Sequence, residues 1–232
     1  MKEKIEHVFF DLDRTLWDFE KSAKQTFEEI FDSNDLYSKG IPSVEKFHEF
    51  YTLHNDKLWA QYRKGEIKKE ILRGLRFTLT LEDFNIDDAE LGEKLGNEYV
   101  NISPKKVNLF PYSIEILEYL YPKYKLHIIT NGFSEVQYIK LQASEIDKYF
   151  VEVITSEAAG FKKPDSRVFD YAFMKAGAFP ENSIMIGDDY EVDIIGAQDV
   201  NMQQIFFDPE KKFAKNSSTY YINNLKEIEG IL

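Results

Sequence analysis

Asp11 and Asp13 stand one residue apart at the end of the apolar run Val8-Phe9-Phe10. In a parallel sheet, ligands bind outside the carboxyl ends of the strands, so acids at such an end are well placed for chemistry. The first carboxylate could attack phosphorus while the second gives a proton to the leaving alkoxide, dividing one hard hydrolysis into two easier steps. The plainer alternative is that the pair solvates a strand end or opens a turn. A second acidic group, Gly187-Asp188-Asp189-Tyr190-Glu191-Val192-Asp193, follows another apolar run and precedes a helical pattern. Asp188 or Asp189 could bind a hard cation directly, with Asp193 orienting a water or a neighbouring ligand. Mg²⁺ suits such a set because it prefers oxygen ligands and retains several waters. Acids at a helix start also stabilise its dipole, which gives this group an ordinary structural reading too.

Two further segments add polarity of other kinds. Leu126-His127-Ile128-Ile129 runs into Thr130-Asn131-Gly132, which delivers a hydroxyl and an amide before a glycine that lets the backbone approach an anion. Ser134 with Gln137 has the spacing of a capping box for the next helix. Lys163 precedes Pro164, which biases the lysine toward extended backbone, and one cation there would lower repulsion between an anionic nucleophile and a phosphate. Taken singly, these read equally as a turn with an N-cap and as a solvated basic loop.

The elements that must position these residues alternate. Short apolar runs at 5–10, 125–130, 184–187 and 203–207 read as buried parallel strands. Helical patterns occupy 112–121, 134–143, 166–176, 191–199 and 225–231, and the alternation predicts an α/β, doubly wound, mainly parallel Rossmann-like sheet. Residues 18–104 break the rhythm with four helical stripes and no strand. They comprise Phe19, Ala23, Phe27 and Ile30; Val44, Phe47, Tyr51, His54, Leu58 and Tyr62; Ile67, Ile71, Leu75 and Leu79; and Leu91, Leu95, Tyr99 and Ile102. The division is therefore a core of 1–17 with 105–232 and an inserted all-helical domain of 18–104, joined by two connections that can act as a hinge.

Composition narrows the function classes. Twenty-nine basic residues against 41 acidic ones give a net charge of −12 over 232 residues, which argues against binding a nucleic acid polymer. The absence of Cys removes disulfides, thiol nucleophiles and thiolate metal sites. The N-terminal apolar stretch is too short and charge-interrupted for a signal or membrane span, so a cytoplasmic location is expected. Two Asn-X-Ser strings, at Asn101 and Asn216, are matched by chance on that reading. His54 and His127 read as hydrogen-bonded core residues rather than metal ligands.

In that order, the nucleophile pair Asp11-Leu12-Asp13-Arg14-Thr15, Thr130-Asn131-Gly132, Lys163-Pro164 and Gly187-Asp188 through Asp193, the chain resembles the haloacid dehalogenase superfamily of phosphohydrolases over nearly its whole length. The resemblance implies a Mg²⁺-dependent phosphatase with Asp11 as nucleophile and Asp13 as general acid/base. Thr130 and Lys163 would hold the transferring phosphoryl group. Asp188 would share the metal with Asp11 and the main-chain carbonyl of Asp13, supported by Asp189 or Asp193. The helical insert looks like the superfamily's first type of cap. Asp13 disfavours dehalogenation, since the similar dehalogenase branch lacks this second acid. Arg14, where many relatives have Gly, departs from the pattern.

Within the superfamily, Asp11 through Glu20 and Tyr62-Arg63-Lys64-Gly65-Glu66-Ile67 leading to Leu75-Arg76-Phe77 resemble pyrimidine nucleoside 5′-monophosphatases. On that resemblance the insert would place an aromatic such as Trp17 or Phe19 and a cation such as Lys64 or Arg76 over the leaving group of a nucleoside monophosphate, with Asn131 and Gly132 lining the substrate. Packing of the first connection is the competing role for Trp17. Alternatives are a phosphatase for a sugar phosphate or a phosphoglycolate-type metabolite, and, from another class, a phospho-acceptor signalling protein. Asp13 discriminates against the last, because an acid/base beside the acyl phosphate favours its turnover.

Overall fold

The computed structural model describes residues 4–213 and 217–232; Asn216, of the second Asn-X-Ser string, lies outside them. Two compact units divide the chain: residues 1–19 with 108–232, and residues 20–107. The division falls two to three residues beyond the boundaries read from the sequence.

The first unit is built on six parallel strands, β1 (His7–Phe10), β2 (Lys125–Thr130), β3 (Phe150–Thr155), β4 (Ser183–Gly187), β5 (Gln203–Phe207) and β6 (Tyr220–Ile222), in the order β3-β2-β1-β4-β5-β6. β1 lies between β2 and β4, with Phe10 level with both Ile128 and Ile186. The topology switches direction there, so the ends of these strands open the crevice. Alternation along the strands buries both faces: Val8, Phe10, Ile128, Ile184 and Ile186 enter one apolar cluster, and Phe9, Ile129 and Met185 the other.

β3 and β6 are not among the strands expected from the sequence. β3 is an edge strand that leaves Val151 59% exposed and carries Glu152, so no continuous apolar run marks it. β6 has three residues. The helical patterns at 191–199 and 225–231 are also less regular than expected. The first is a wide π-type turn over Tyr190–Ile195 followed by Gly196–Asp199, and the second a tight 3₁₀ stretch over Leu225–Gly230.

The connections to the insert pair with each other inside the first unit. Trp17 bridges Leu109 in antiparallel fashion, Asp18 N–H donates to the Asn108 carbonyl at 2.9 Å, and Phe110 N–H donates to the Leu16 carbonyl at 2.9 Å.

The second unit contains α1 (Phe19–Ser33, from Glu20 onward), α2 (Val44–Arg63), α3 (Lys69–Glu82) and α4 (Ala89–Ile102). Phe27, Phe47, Tyr51, Phe77 and Tyr99 form its aromatic interior. The Ile67, Ile71, Leu75, Leu79 stripe expected for α3 is in the wrong register. Ile71 is 51% exposed, and the buried face carries Leu72, Arg76, Phe77, Thr80 and Leu81. Two polar residues on that face hide it from a count of apolar positions. His54 is only partly buried and bonds Asp83 at 2.7 Å, so it is not a core residue. Among the described residues no helix is long and apolar enough to cross a membrane.

Candidate active site

Asp11 leaves the end of β1, its backbone N–H donating to the Ile186 carbonyl of β4 at 2.9 Å, so the sheet itself sets where the carboxylate emerges. Lys163 meets it there. The lysine Nζ lies 2.6 Å from Asp11 Oδ1, 2.7 Å from Asp193 Oδ1 and 2.6 Å from the Ile129 carbonyl, with its side chain 1% exposed. Asp188 joins the group through Thr15, whose hydroxyl donates to Asp188 Oδ1 at 3.1 Å. Asp11, Asp188 and Asp193 each offer a carboxylate oxygen within 4.8 Å of the others.

One buried ammonium contacts two of the three acids, Asp11 and Asp193, and the proton affinities register the imbalance. Burial pushes the Asp11 carboxyl up to about 7; Lys163 opposes this, while Asp193 and Asp13 add to it. Asp188 is held well above the ordinary carboxylate range by burial and then by the charges of Asp11 and Asp193. Asp193 is raised by burial against the pull of Lys163. Burial alone would lower Lys163, but Asp11 and Asp193 outweigh it and hold the ammonium above its ordinary value. Oxygen donors with an excess of negative charge fit a hard divalent cation.

Asp189 does not join this cluster. It is the N-cap of the wide turn, accepting from Glu191 N–H and Val192 N–H at 3.2 and 3.1 Å, whereas Asp193 folds back to accept from Asp189 N–H at 3.2 Å. Gly187 makes this possible: a Cβ there would lie 2.3 Å from Asp193 Oδ2.

Asn131 clasps the backbone of Lys163, its amide donating to the carbonyl and accepting from the N–H, both at 2.9 Å, and so fixes the lysine in place. Gly132 N–H donates to Thr130 Oγ1 at 3.0 Å. Trp17 is buried in the core cluster and packs the connection. Lys64 is exposed at the C-cap of α2. Arg76 is 3% exposed inside the helical unit, donating to Asn55 at 3.0 Å among the rings of Tyr51, Phe77 and Tyr99. Within the sheet-bearing unit the structure therefore brings Asp11, Asp188, Asp193 and Lys163 together, while Trp17 packs into the apolar core.

Ser134 and Gln137 form no capping box. In α5 (Ser134–Ala143) the N-cap is Phe133; Ser134 Oγ pairs with Thr155 Oγ1 at 2.7 Å, and Gln137 is drawn to Asp13, its Nε2 donating to Oδ2 at 2.9 Å. Lys140, three residues on, donates to Asp13 Oδ1. Sequence reasoning misses Thr15, Gln137 and Lys140 as site residues. The available signal is a lysine and a glutamine three apart on a helix face that must be buried.

An α/β unit whose central strand ends in paired acids, with a lysine and a second acidic turn gathered at the switch point, has the architecture of a hydrolase. The chain belongs to the haloacid dehalogenase-like hydrolase family, whose model matches residues 8–207. It is 28% identical to the pyrimidine 5′-nucleotidase YjjG of Escherichia coli, over 99% of this chain and 98% of that protein. It is 31% identical to a glyceraldehyde 3-phosphate phosphatase of Methanothermobacter thermautotrophicus, over 89% and 87%. A magnesium-bound crystal structure of the HAD-hydrolase YfnB from Bacillus subtilis matches with a TM-score of 0.90 at 26% identity, covering 99% of each chain. With the charged site in place and relatives of this coverage named as phosphatases and nucleotidases, the chain is a phosphatase of that family.

Proposed function

We propose that the chain is a Mg²⁺-dependent phosphomonoester hydrolase that works through a phosphoaspartate on Asp11 and acts on pyrimidine nucleoside 5′-monophosphates. One observation carries the chemistry. Asp11 Oδ1 is gripped by Lys163, while among the described residues Oδ2 receives no hydrogen bond, so one oxygen is anchored and the other is free to attack. Asp13 protonates the leaving oxygen, then takes a proton from the water that cleaves the acyl phosphate. Lys163 offsets the charge that would keep carboxylate and phosphate apart, whereas the Thr130 hydroxyl is turned toward Gln137. Asp11 and Asp188, with the Asp13 carbonyl, would hold Mg²⁺, with Asp193 in support; when bound it would act as a Lewis acid on the phosphoryl oxygens.

The substrate reading is supported by YjjG and by the pyrimidine 5′-nucleotidase PynA of Streptococcus pneumoniae, 25% identical over 95% of this chain. A sugar-phosphate reading has its own support in the 31% identity to the glyceraldehyde 3-phosphate phosphatase. Phosphate release from dUMP, UMP, dTMP and glyceraldehyde 3-phosphate, with and without Mg²⁺, decides between them: kcat/KM highest on the pyrimidine nucleotides supports the first, highest on the triose phosphate rejects it. Asp11→Asn should reduce turnover below detection with the fold retained, and unchanged Mg²⁺-dependent hydrolysis would remove Asp11 as nucleophile. Asp13→Asn should lower kcat by about 10²–10⁴-fold.

A further inference from the structure

We propose that Lys140 and Gln137 of α5 are positioning residues for Asp13, together fixing the direction in which its carboxylate exchanges protons. The inference rests on the acid/base reading of Asp13 and adds to it a device outside the four motifs.

Both oxygens of Asp13 are held from one helix face, Oδ1 by Lys140 and Oδ2 by Gln137 at 2.9 Å. Lys140 is 3% exposed at its side chain, and Asp13 is its one carboxylate partner among the described residues. A buried ammonium is strongly unfavourable without such a partner, so its presence there needs Asp13 as much as Asp13 is fixed by it. The rings of Trp17 and Phe19, 5.5 and 5.7 Å from Nζ, wall the ammonium on other sides and give Trp17 a supporting role.

Gln137 is itself oriented by a directed chain of hydrogen bonds. Gly132 N–H donates to Thr130 Oγ1, so the Thr130 hydroxyl hydrogen is free to donate to Gln137 Oε1 at 3.3 Å. That assigns the amide: Oε1 faces Thr130 and Nε2 faces Asp13. The path exists only because residue 132 is glycine, since a Cβ there would lie 2.2 Å from Gln137 Nε2. Thr130 and Gly132 are thereby mechanically connected to the acid at the end of a different strand.

As Asp11 Oδ2 bonds to phosphorus, the bond from phosphorus to the leaving oxygen breaks and that oxygen takes the proton of Asp13. Water then attacks phosphorus, Asp13 accepts its proton, and the bond to Asp11 breaks to release inorganic phosphate. An error of about 1 Å in such a group can reduce the rate by about 10²-fold. The effect must be largest where the leaving oxygen most needs the proton.

Phenyl phosphate and p-nitrophenyl phosphate have nearly the same shape but poor and good leaving groups, which makes them suitable probes with Mg²⁺ present. Lys140→Met should lower kcat/KM by about 10²-fold on phenyl phosphate and by less than about 10-fold on p-nitrophenyl phosphate, with KM little changed. Lys140→Arg should recover part of the loss. Gln137→Met, an independent variant should the lysine change unfold the chain, should give a smaller loss with the same bias. In an Asp13→Asn background, Lys140→Met should add nothing. Equal losses on both esters, or none, in Lys140→Met and Gln137→Met while Asp13→Asn shows the bias would overturn the positioning role and leave the acid/base reading standing. An Asp13→Asn variant without the bias would overturn both.

Discussion

At the scale of the residue, the acids of the site make stability depend on pH and metal in a definite direction. A carboxyl raised in the folded chain contributes stability that is fully present below its unfolded value of about 4 and is lost as the pH rises through its folded value, about 7 for Asp11. A divalent cation reverses this by binding the ionised forms. The unfolding temperature of metal-free protein should fall between pH 5 and pH 8, and millimolar Mg²⁺ should raise it more at pH 8 than at pH 5. Equal increments at both pH values would contradict the arrangement. His127 works in the opposite sense. Burial, then His7 and Lys125, lower it to about 3, and it sits 3.0 Å from His7. Its contribution is present above the ordinary histidine value of about 6.5 and is lost as pH falls toward 3. Replacing the pair by His7→Val with His127→Val should move the midpoint of acid unfolding, followed by fluorescence, to lower pH.

At the scale of the element, the chemistry depends on close approaches that only glycine allows. Gly187→Ala would push Asp193 away from Lys163, and should greatly reduce turnover and the thermal shift produced by Mg²⁺. In the helical unit, a Cβ at Gly92 would meet Thr78 Oγ1 at 2.2 Å and its backbone at 2.9 Å, so Gly92→Ala should destabilise the α3–α4 pairing by about 1–3 kcal/mol in chemical denaturation. Such long-range approaches also separate what a sequence reveals from what it hides. Asp11 and Asp188 are legible because each follows an apolar strand, and Lys163 because the proline after it restricts its backbone. Gln137 is not, because its spacing from Ser134 satisfies a local capping rule that a long-range bond to Asp13 overrides. Arg76 reads as a ligand-facing cation because a charge is normally solvated; Asn55 and three aromatic rings pack it inside instead.

At the scale of the whole molecule, four of the six strands and the four-helix content of residues 20–107 follow from hydrophobic period, whereas the strand order does not. The edge strand β3 escapes that pattern because an edge needs charge and exposure more than it needs apolar residues. The antiparallel pairing of Trp17 with Leu109, locked by the bonds from Asp18 to Asn108 and from Phe110 to Leu16, brings the exit and re-entry points of the chain together within the sheet-bearing unit. Residues 20–107 are thereby a cassette plugged into one socket: a short Gly-Ser bridge across Phe19 and Asn108 would span almost no distance and disturb no strand. Protein so shortened should still unfold cooperatively in a thermal scan and still gain stability from Mg²⁺, since every strand and every acid of the cluster lies in the part retained.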